Sequence, residues 1–141
     1  IADGTIVLFS YWTLQSYPTL AATLGVTVDS SFSTPLPLSA ASGSPLWTIS
    51  QTLPSSITNY TYDAGINGVV LSPIDASTSE TLAIYSGDAT KEAIMATFDG
   101  QVIINGHLPW DFQGTDDDAD GQNDMAELYI NELAWTTGCI F

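Results

Sequence analysis

The sequence predicts a β-rich domain of the α/β or α+β class, with one short helix in its N-terminal half and one helix near its C-terminal end. Two observations support this class. Short apolar runs recur between clusters of turn residues, which is typical of strands. Helix start and stop signals, by contrast, frame only two segments. The 141 residues fit one domain, 1–141, either complete or a portion of a larger protein.

The first third of the chain opens as strand, helix and strand. Residues 5–10 form a near-continuous apolar run, the pattern of a strand covered on both faces. Residues 17–24 are predicted to be helical because Pro18 suits a first helical position and Gly25 follows the end. A brief strand is expected at 26–28.

A segment rich in Ser, Thr and Pro follows at 30–56. Its four prolines interrupt any regular hydrogen-bond ladder. Apolar residues are interleaved with these prolines, so a free linker is not expected. We predict a packed irregular excursion that covers one face of the sheet.

Further short strands are predicted at 57–62, 69–71 and 81–85. The clearest hairpin joins residues 93–98 to residues 101–105 through Asp99-Gly100. An Asp-Gly pair between two apolar runs favours a type I′ turn, in which both central residues need a positive φ.

The last predicted element is a helix from Asp124 to about Trp135. Met125, Leu128, Tyr129 and Leu133 share one face by their spacing. We expect this face to pack on the sheet.

The charge balance restricts the partners of the protein. Sixteen acids stand against one base, for a net charge of −15. Phosphates therefore cannot be neutralised, which excludes nucleic acid and anionic membrane surfaces as partners. No apolar run is long enough to span a membrane. Only 12% of the residues are charged, about half the usual share, so the surface is polar without being ionic. This composition is typical of secreted surface proteins, and we predict an extracellular or cell-surface location.

One sequence motif is specific enough to predict a binding site. Residues 116–127 match the EF-hand loop pattern D-x-[DN]-x-[DN]-G-x5-E at every specified position, with Gly121 at the sharp turn. Calcium prefers six to eight oxygen ligands, and alternate side chains of a wrapped loop can supply them. The predicted ligands are the carboxylates of Asp116, Asp118 and Asp120, the backbone carbonyl of Gln122, Asp124 directly or through water, and both carboxylate oxygens of Glu127.

The alternative is a solvated acidic loop that places negative charge at the start of a helix.

In the calcium interpretation, Asp117 is expected to point away from the ion. Two departures from the paired EF-hand are Asn123, where an aliphatic residue is usual, and a strand rather than a helix before the loop. The motif resembles the single, dockerin-like calcium loops of secreted bacterial proteins, which implies a structural calcium ion.

A second resemblance extends over more of the chain. Residues 105–110 read Asn-Gly-His-Leu-Pro-Trp, the acidic loop follows, and residues 126–135 read Ala-Glu-Leu-Tyr-Ile-Asn-Glu-Leu-Ala-Trp. This order is similar to the closing section of class I glutamine amidotransferase-like and ThuA-like domains, and residues 3–12 resemble a middle strand of those domains. The resemblance implies that the chain covers the later part of that fold.

That family uses a cysteine nucleophile on a strand-to-helix elbow and a His-Pro-Glu-like segment. His107, with Pro109 and Asp111, lies at a comparable place, but no cysteine lies at an elbow. Ser10 and Ser42 lack the G-x-S-x-G frame. We therefore predict no enzymatic activity and no catalytic residues.

The leading hypothesis is a non-catalytic, calcium-stabilised extracellular structural or surface protein, for example a filament or surface-layer subunit that binds copies of itself. One alternative is a calcium-dependent carbohydrate- or protein-binding module that contacts surface glycans through Trp12, Trp47 or Trp110, although core positions are expected for all the tryptophans. The other is an inactive remnant or fragment of an amidotransferase-like hydrolase. Asn59 begins an Asn-Tyr-Thr glycosylation sequon.

Overall fold

The computed structural model describes residues 7–58, 68–112 and 114–137 of the chain. Seven strands in these ranges form one sheet, in which β1 pairs with β7 in parallel and all other described pairs are antiparallel. The strands are β1 Val7–Ser10, β2 Val26–Phe32, β3 Leu38–Ala40, β4 Gly68–Pro73, β5 Glu80–Tyr85, β6 Glu92–Thr97 and β7 Val102–Asn105. The helices are α1 Tyr11–Ser16, α2 Pro18–Thr23 and α3 Asp124–Thr137, with short 3-10 helices at Pro45–Trp47 and Pro109–Phe112.

The sheet separates two apolar cores. Its main path runs β1-β7-β6-β4-β2, and β5 pairs with β6 and carries β3 on its other side. Alternate residues of β7 enter different cores: Ile103 lies in the core shared with α3, and Ile104 in the core shared with α1 and α2. The predicted β-rich α/β or α+β class is confirmed, with helices on both faces of the sheet.

The predicted hairpin is present and lies inside the sheet. Strands β6 and β7 are its arms, and Gln101 N–H donates to the carbonyl of Phe98 at 3.3 Å. The φ angles of Asp99 and Gly100 are 54° and 85°, the signs that a type I′ turn requires. Phe98 also has a positive φ, of 52°, so the backbone conformation is unusual over three successive residues.

The N-terminal half has more helix than predicted. The chain enters α1 directly after β1, and the sequence pattern does not predict this helix. Pro18 begins α2 as predicted, and Gly25, with a φ of 89°, follows its end. Residues 5 and 6 of the first predicted strand lie outside the described residues.

The excursion 30–56 is more regular than predicted. Strand β2 extends to Phe32, and β3 joins the sheet beside β5 because its backbone groups find partners there. The remainder packs as expected, since Leu46, Trp47 and Leu53 are buried in the core shared with α3. Of the predicted strand 57–62, Ile57 bridges to Leu38, and residues from 59 onward lie outside the described ranges, as does the Asn59 sequon.

The C-terminal helix is confirmed, but the prediction of burial is wrong for one of the four residues on its expected buried face. Met125 and Leu128 are buried and Tyr129 packs partly against the same core. Leu133 is 39% exposed. The buried stripe passes instead through Asn131 and Glu132, two polar residues that a hydrophobic pattern does not select. Among the described residues, no helix has the length and apolar character needed to cross a membrane.

Candidate metal site and neighbouring polar clusters

The acidic loop lies between the 3-10 helix Pro109–Phe112 and α3, and its two ends are joined by hydrogen bonds. The carbonyl of Thr115, a fully buried residue, accepts from the backbone N–H of Asp124 and from Nδ2 of Asn123, both at 3.0 Å. Because the ends are fixed, residues 116–123 form a closed turn on the body of the domain.

Three carboxylates converge within this turn. Asp116, Asp118 and Asp120 each offer an oxygen, and these oxygens lie within 4.8 Å of one another. The Asp116 carboxylate accepts from the backbone N–H groups of Asp120 at 3.1 Å and Gly121 at 3.2 Å. Gly121 has a φ of 92°, which supplies the predicted sharp turn. This group of aspartates can hold a metal ion.

The other predicted ligands lie in the same loop and in the first turn of α3. Asp124 and Glu127 are buried, and Asp124 Oδ2 accepts from the N–H of Asp117 at 2.9 Å. Asp124 Oδ1 and Glu127 Oε2 are buried without a hydrogen-bond partner among the described residues. Gln122 is exposed, and its Nε2 donates to Asp120 at 3.1 Å.

Electrostatic repulsion marks this region as one that favours a cation. Burial raises the pKa of Glu127, and the nearby carboxylates of Asp120 and Asp118 raise it further. Burial likewise raises the pKa of Asp124; the hydrogen bond from the backbone N–H of Asp117 lowers it, and the charges of Asp117 and Asp118 raise it. A cation held by Asp116, Asp118 and Asp120 would reduce this repulsion.

Two residues of the loop make contacts that the motif does not predict. The Asp117 carboxylate accepts from the backbone N–H of Thr58 at 2.6 Å, so it joins the loop to the segment that follows the excursion. Asn123 precedes α3, and its Oδ1 accepts from the N–H of Ala126 at 3.1 Å. Asn123 is therefore the N-cap of α3, which the preference for Asn before a helix could have indicated.

A second polar cluster is buried between β7 and α3. Asn105 Nδ2 donates to Glu132 Oε2 at 3.1 Å, and both residues are almost completely buried. His107 is fully buried, with its ring 6.0 Å from that of Phe112 in an edge-to-face arrangement. Neither ring nitrogen of His107 has a partner among the described residues. His107 is thus enclosed in the core, while the side chain of Asp111 lies outside the described part of the chain.

The tryptophans have different environments. Trp47 is 5% exposed and its Nε1 donates to the carbonyl of Pro54 at 2.8 Å, so it is a core residue and not a stacking platform. Trp135 is only partly buried and lines a groove at the end of α3. The side chains of Trp12 and Trp110 are not among those described.

The fold and the loop define a class: a β-rich domain with helices on both faces and a carboxylate-lined loop that can hold a metal ion. No protein-family model matches the chain, and comparisons with curated proteins and with solved structures give no match. The dockerin-like and amidotransferase-like resemblances remain predictions from the sequence.

Proposed function

We propose that this chain is a non-catalytic, calcium-stabilised domain of an extracellular structural or surface protein. The observation that carries the proposal is the convergence of the Asp116, Asp118 and Asp120 carboxylates to within 4.8 Å. The unpartnered buried oxygens of Asp124 and Glu127 in the same region support it.

The donor chemistry favours calcium. The predicted ligands are all oxygens, which suit hard cations and not zinc or copper. Magnesium requires a tight octahedral shell and retains its waters, whereas calcium accepts the larger, irregular set of oxygens that this loop offers.

A structural role for the ion follows from what the loop connects. The loop leads directly into α3, and Asp117 joins it to Thr58. Farther along α3, the Asn131 side chain accepts from the N–H of Gln51 at 2.7 Å and donates to its carbonyl at 2.9 Å. An ion that orders the loop would therefore also stabilise the packing of the excursion against the sheet.

The sheet edge at β1 supports assembly with copies of the same chain. Among the described strands, β1 pairs with β7 alone, and its four residues Val-Leu-Phe-Ser carry no charge. Uncharged edge strands can pair with another chain. The hairpin strands β6 and β7 offer no such edge, because both have neighbours on each side.

The calcium proposal is tested by thermal unfolding with and without the ion. Calcium should raise the melting temperature because it binds the folded loop and hardly the unfolded chain. Glu127→Gln should reduce this increase most, since it removes one charge from the closing ligand. Glu80→Gln, the same change at an exposed acid outside the loop, should leave the increase unchanged.

Equal melting temperatures in EDTA and in calcium would contradict the proposal, provided that a calorimetric titration of EDTA-treated protein also detects no calcium binding. Titration with magnesium at the same concentrations should give a weaker response.

A further inference from the structure

A groove of about 630 Å³ lies beside Trp135, away from the acidic loop. One wall is the turn that precedes β5, and the other is the loop of the β6–β7 hairpin. The indole of Trp135 and polar side chains both line the groove, with Glu80, Asp99, Gln101 and Thr136 among the polar residues.

The two walls are held in place by hydrogen bonds. The N–H of Asp99 donates to the carbonyl of Thr78 at 3.0 Å, which joins one wall to the other. The Asp75 carboxylate accepts from the N–H of Ser77 at 2.9 Å and from its hydroxyl at 2.6 Å, which fixes the turn. The positive φ of Phe98 is costly for a bulky side chain, so its conformation is imposed by its surroundings, whereas aspartate at position 99 tolerates a positive φ.

The polar groups that line the groove are available to a ligand. Among the described residues, no hydrogen bond joins the indole N–H of Trp135, the carboxylates of Glu80 and Asp99 or the side-chain amide of Gln101 to another protein group. Gly100 leaves space beside the indole, because a Cβ at that position would lie only 3.3 Å from Trp135 Nε1.

These features match one class of ligand. An aromatic ring offers a stacking surface for the apolar C–H face of a pyranose, and the surrounding carboxylates, amide and indole N–H can bind its hydroxyls. The two carboxylates disfavour anionic ligands, and no basic side chain is among the described residues that line the groove. We propose that this groove binds a neutral oligosaccharide, with one sugar ring stacked on Trp135.

The groove shares no lining residue with the loop 116–127, so this inference does not depend on the calcium proposal. The sequence alone suggested Trp12, Trp47 or Trp110 as glycan contacts, whereas the tryptophan that lines the groove is Trp135.

Isothermal titration calorimetry of the whole chain with four neutral oligosaccharides, namely cellohexaose, xylohexaose, chitohexaose and maltohexaose, tests the proposal. At least one should bind, and its affinity should not change with salt concentration because the ligand is uncharged. Trp135→Ala should weaken binding by about tenfold or more, as for a central aromatic contact. Tyr17→Ala, which removes a 63% exposed aromatic side chain outside the groove, should have no effect.

Asp99→Asn provides a second variant that keeps the fold, because asparagine tolerates a positive φ. It should weaken binding at least about threefold through loss of a charged acceptor. The proposal is overturned if none of the four sugars binds at concentrations up to about 5 mM. It is also overturned if folded Trp135→Ala and Asp99→Asn both bind as the parent does, or if cationic chitosan oligomers bind more tightly in a salt-dependent manner.

Discussion

Two glutamates of α3, Glu127 and Glu132, are both buried, yet their surroundings differ. Glu127 lies near the carboxylates of the acidic loop, where a cation can compensate its charge. Glu132 is surrounded by the core and accepts one hydrogen bond, from Asn105. Burial raises the pKa of Glu132 to about 8, so this carboxyl group is mostly protonated at neutral pH. Its charge also contributes to the raised pKa of Tyr129, although burial is the larger cause.

The shifted pKa values of Glu132 and His107 predict how the free energy of unfolding depends on pH. Burial lowers the pKa of His107 from 6.5 to about 3, so below pH 6.5 the unfolded chain binds a proton that the folded protein does not, and stability falls toward pH 3. The pKa of Glu132 is raised from 4.5 to about 8, so above pH 4.5 the unfolded chain loses a proton that the folded protein keeps, and stability falls toward pH 8. The two slopes oppose each other between pH 4.5 and 6.5, where these groups give a plateau.

Glu132→Gln should remove the decrease on the alkaline side and make the protein more stable than the parent at pH 8, by about 1 to 3 kcal/mol. The side-chain carbonyl of the introduced glutamine would still accept from Asn105. Urea unfolding of both proteins from pH 3 to 9, in saturating calcium, measures the difference. Glu80→Gln should follow the parent curve, and parallel curves for Glu132→Gln and the parent above pH 6.5 would show that Glu132 is not the group responsible.

At the scale of elements, α3 determines how the second half of the chain packs. Its N-terminal end is capped by Asn123, and its middle is joined to the excursion by Asn131. Leu128 is fully buried, whereas Leu133 is 39% exposed, so two leucines of one predicted face have different environments. The helix rotates about 100° per residue, and a face that passes through Leu128, Asn131 and Glu132 turns Leu133 toward solvent.

Matched leucine substitutions test this orientation. Leu128→Ala should reduce the free energy of unfolding by about 2 to 5 kcal/mol, because it leaves a cavity between α3 and the sheet. Leu133→Ala should change it by less than about 0.5 kcal/mol. Urea denaturation of the two variants and the parent measures both values. Similar losses for the two variants would mean that Leu133 is covered in solution, for example by a neighbouring subunit.

For the whole molecule, the order of strands in the sheet decides where a strand of another chain could pair. The central strands β6 and β7 are paired on both sides, and β1 and β2 lie at the two ends of the main path. Strand β2 carries Asp29 and several exposed polar residues, whereas β1 carries no charge. Of these two edges, the one at β1 is therefore the better candidate for strand addition.

If the proposed assembly uses this edge, calcium-saturated protein should sediment as oligomers whose size increases with concentration. Val7→Lys should reduce assembly because lysine discourages pairing at a strand edge. Ser31→Lys places the same residue at an exposed position of β2 and should leave assembly unchanged. Analytical ultracentrifugation and electron microscopy measure the outcome, and monomeric particles at every concentration would argue against a filament or surface layer.

The sequence by itself determined the features that depend on neighbours along the chain. The Asp-x-Asp-x-Asp-Gly spacing brought Asp116, Asp118 and Asp120 together, Asp99-Gly100 formed the hairpin turn, and Pro18 began a helix. Such features are predictable because a few residues and their allowed φ and ψ angles fix the local path of the backbone.

Only the tertiary structure decided which side chains are buried and which segments meet. Asp117 binds Thr58, 59 residues away, and Glu132 lies in the core beside Asn105. Likewise, the groove at Trp135 depends on the hairpin loop and on the turn before β5. These contacts could not be read from local spacing because burial depends on how distant elements pack, and a polar residue that is buried with a partner looks the same in sequence as one in solvent.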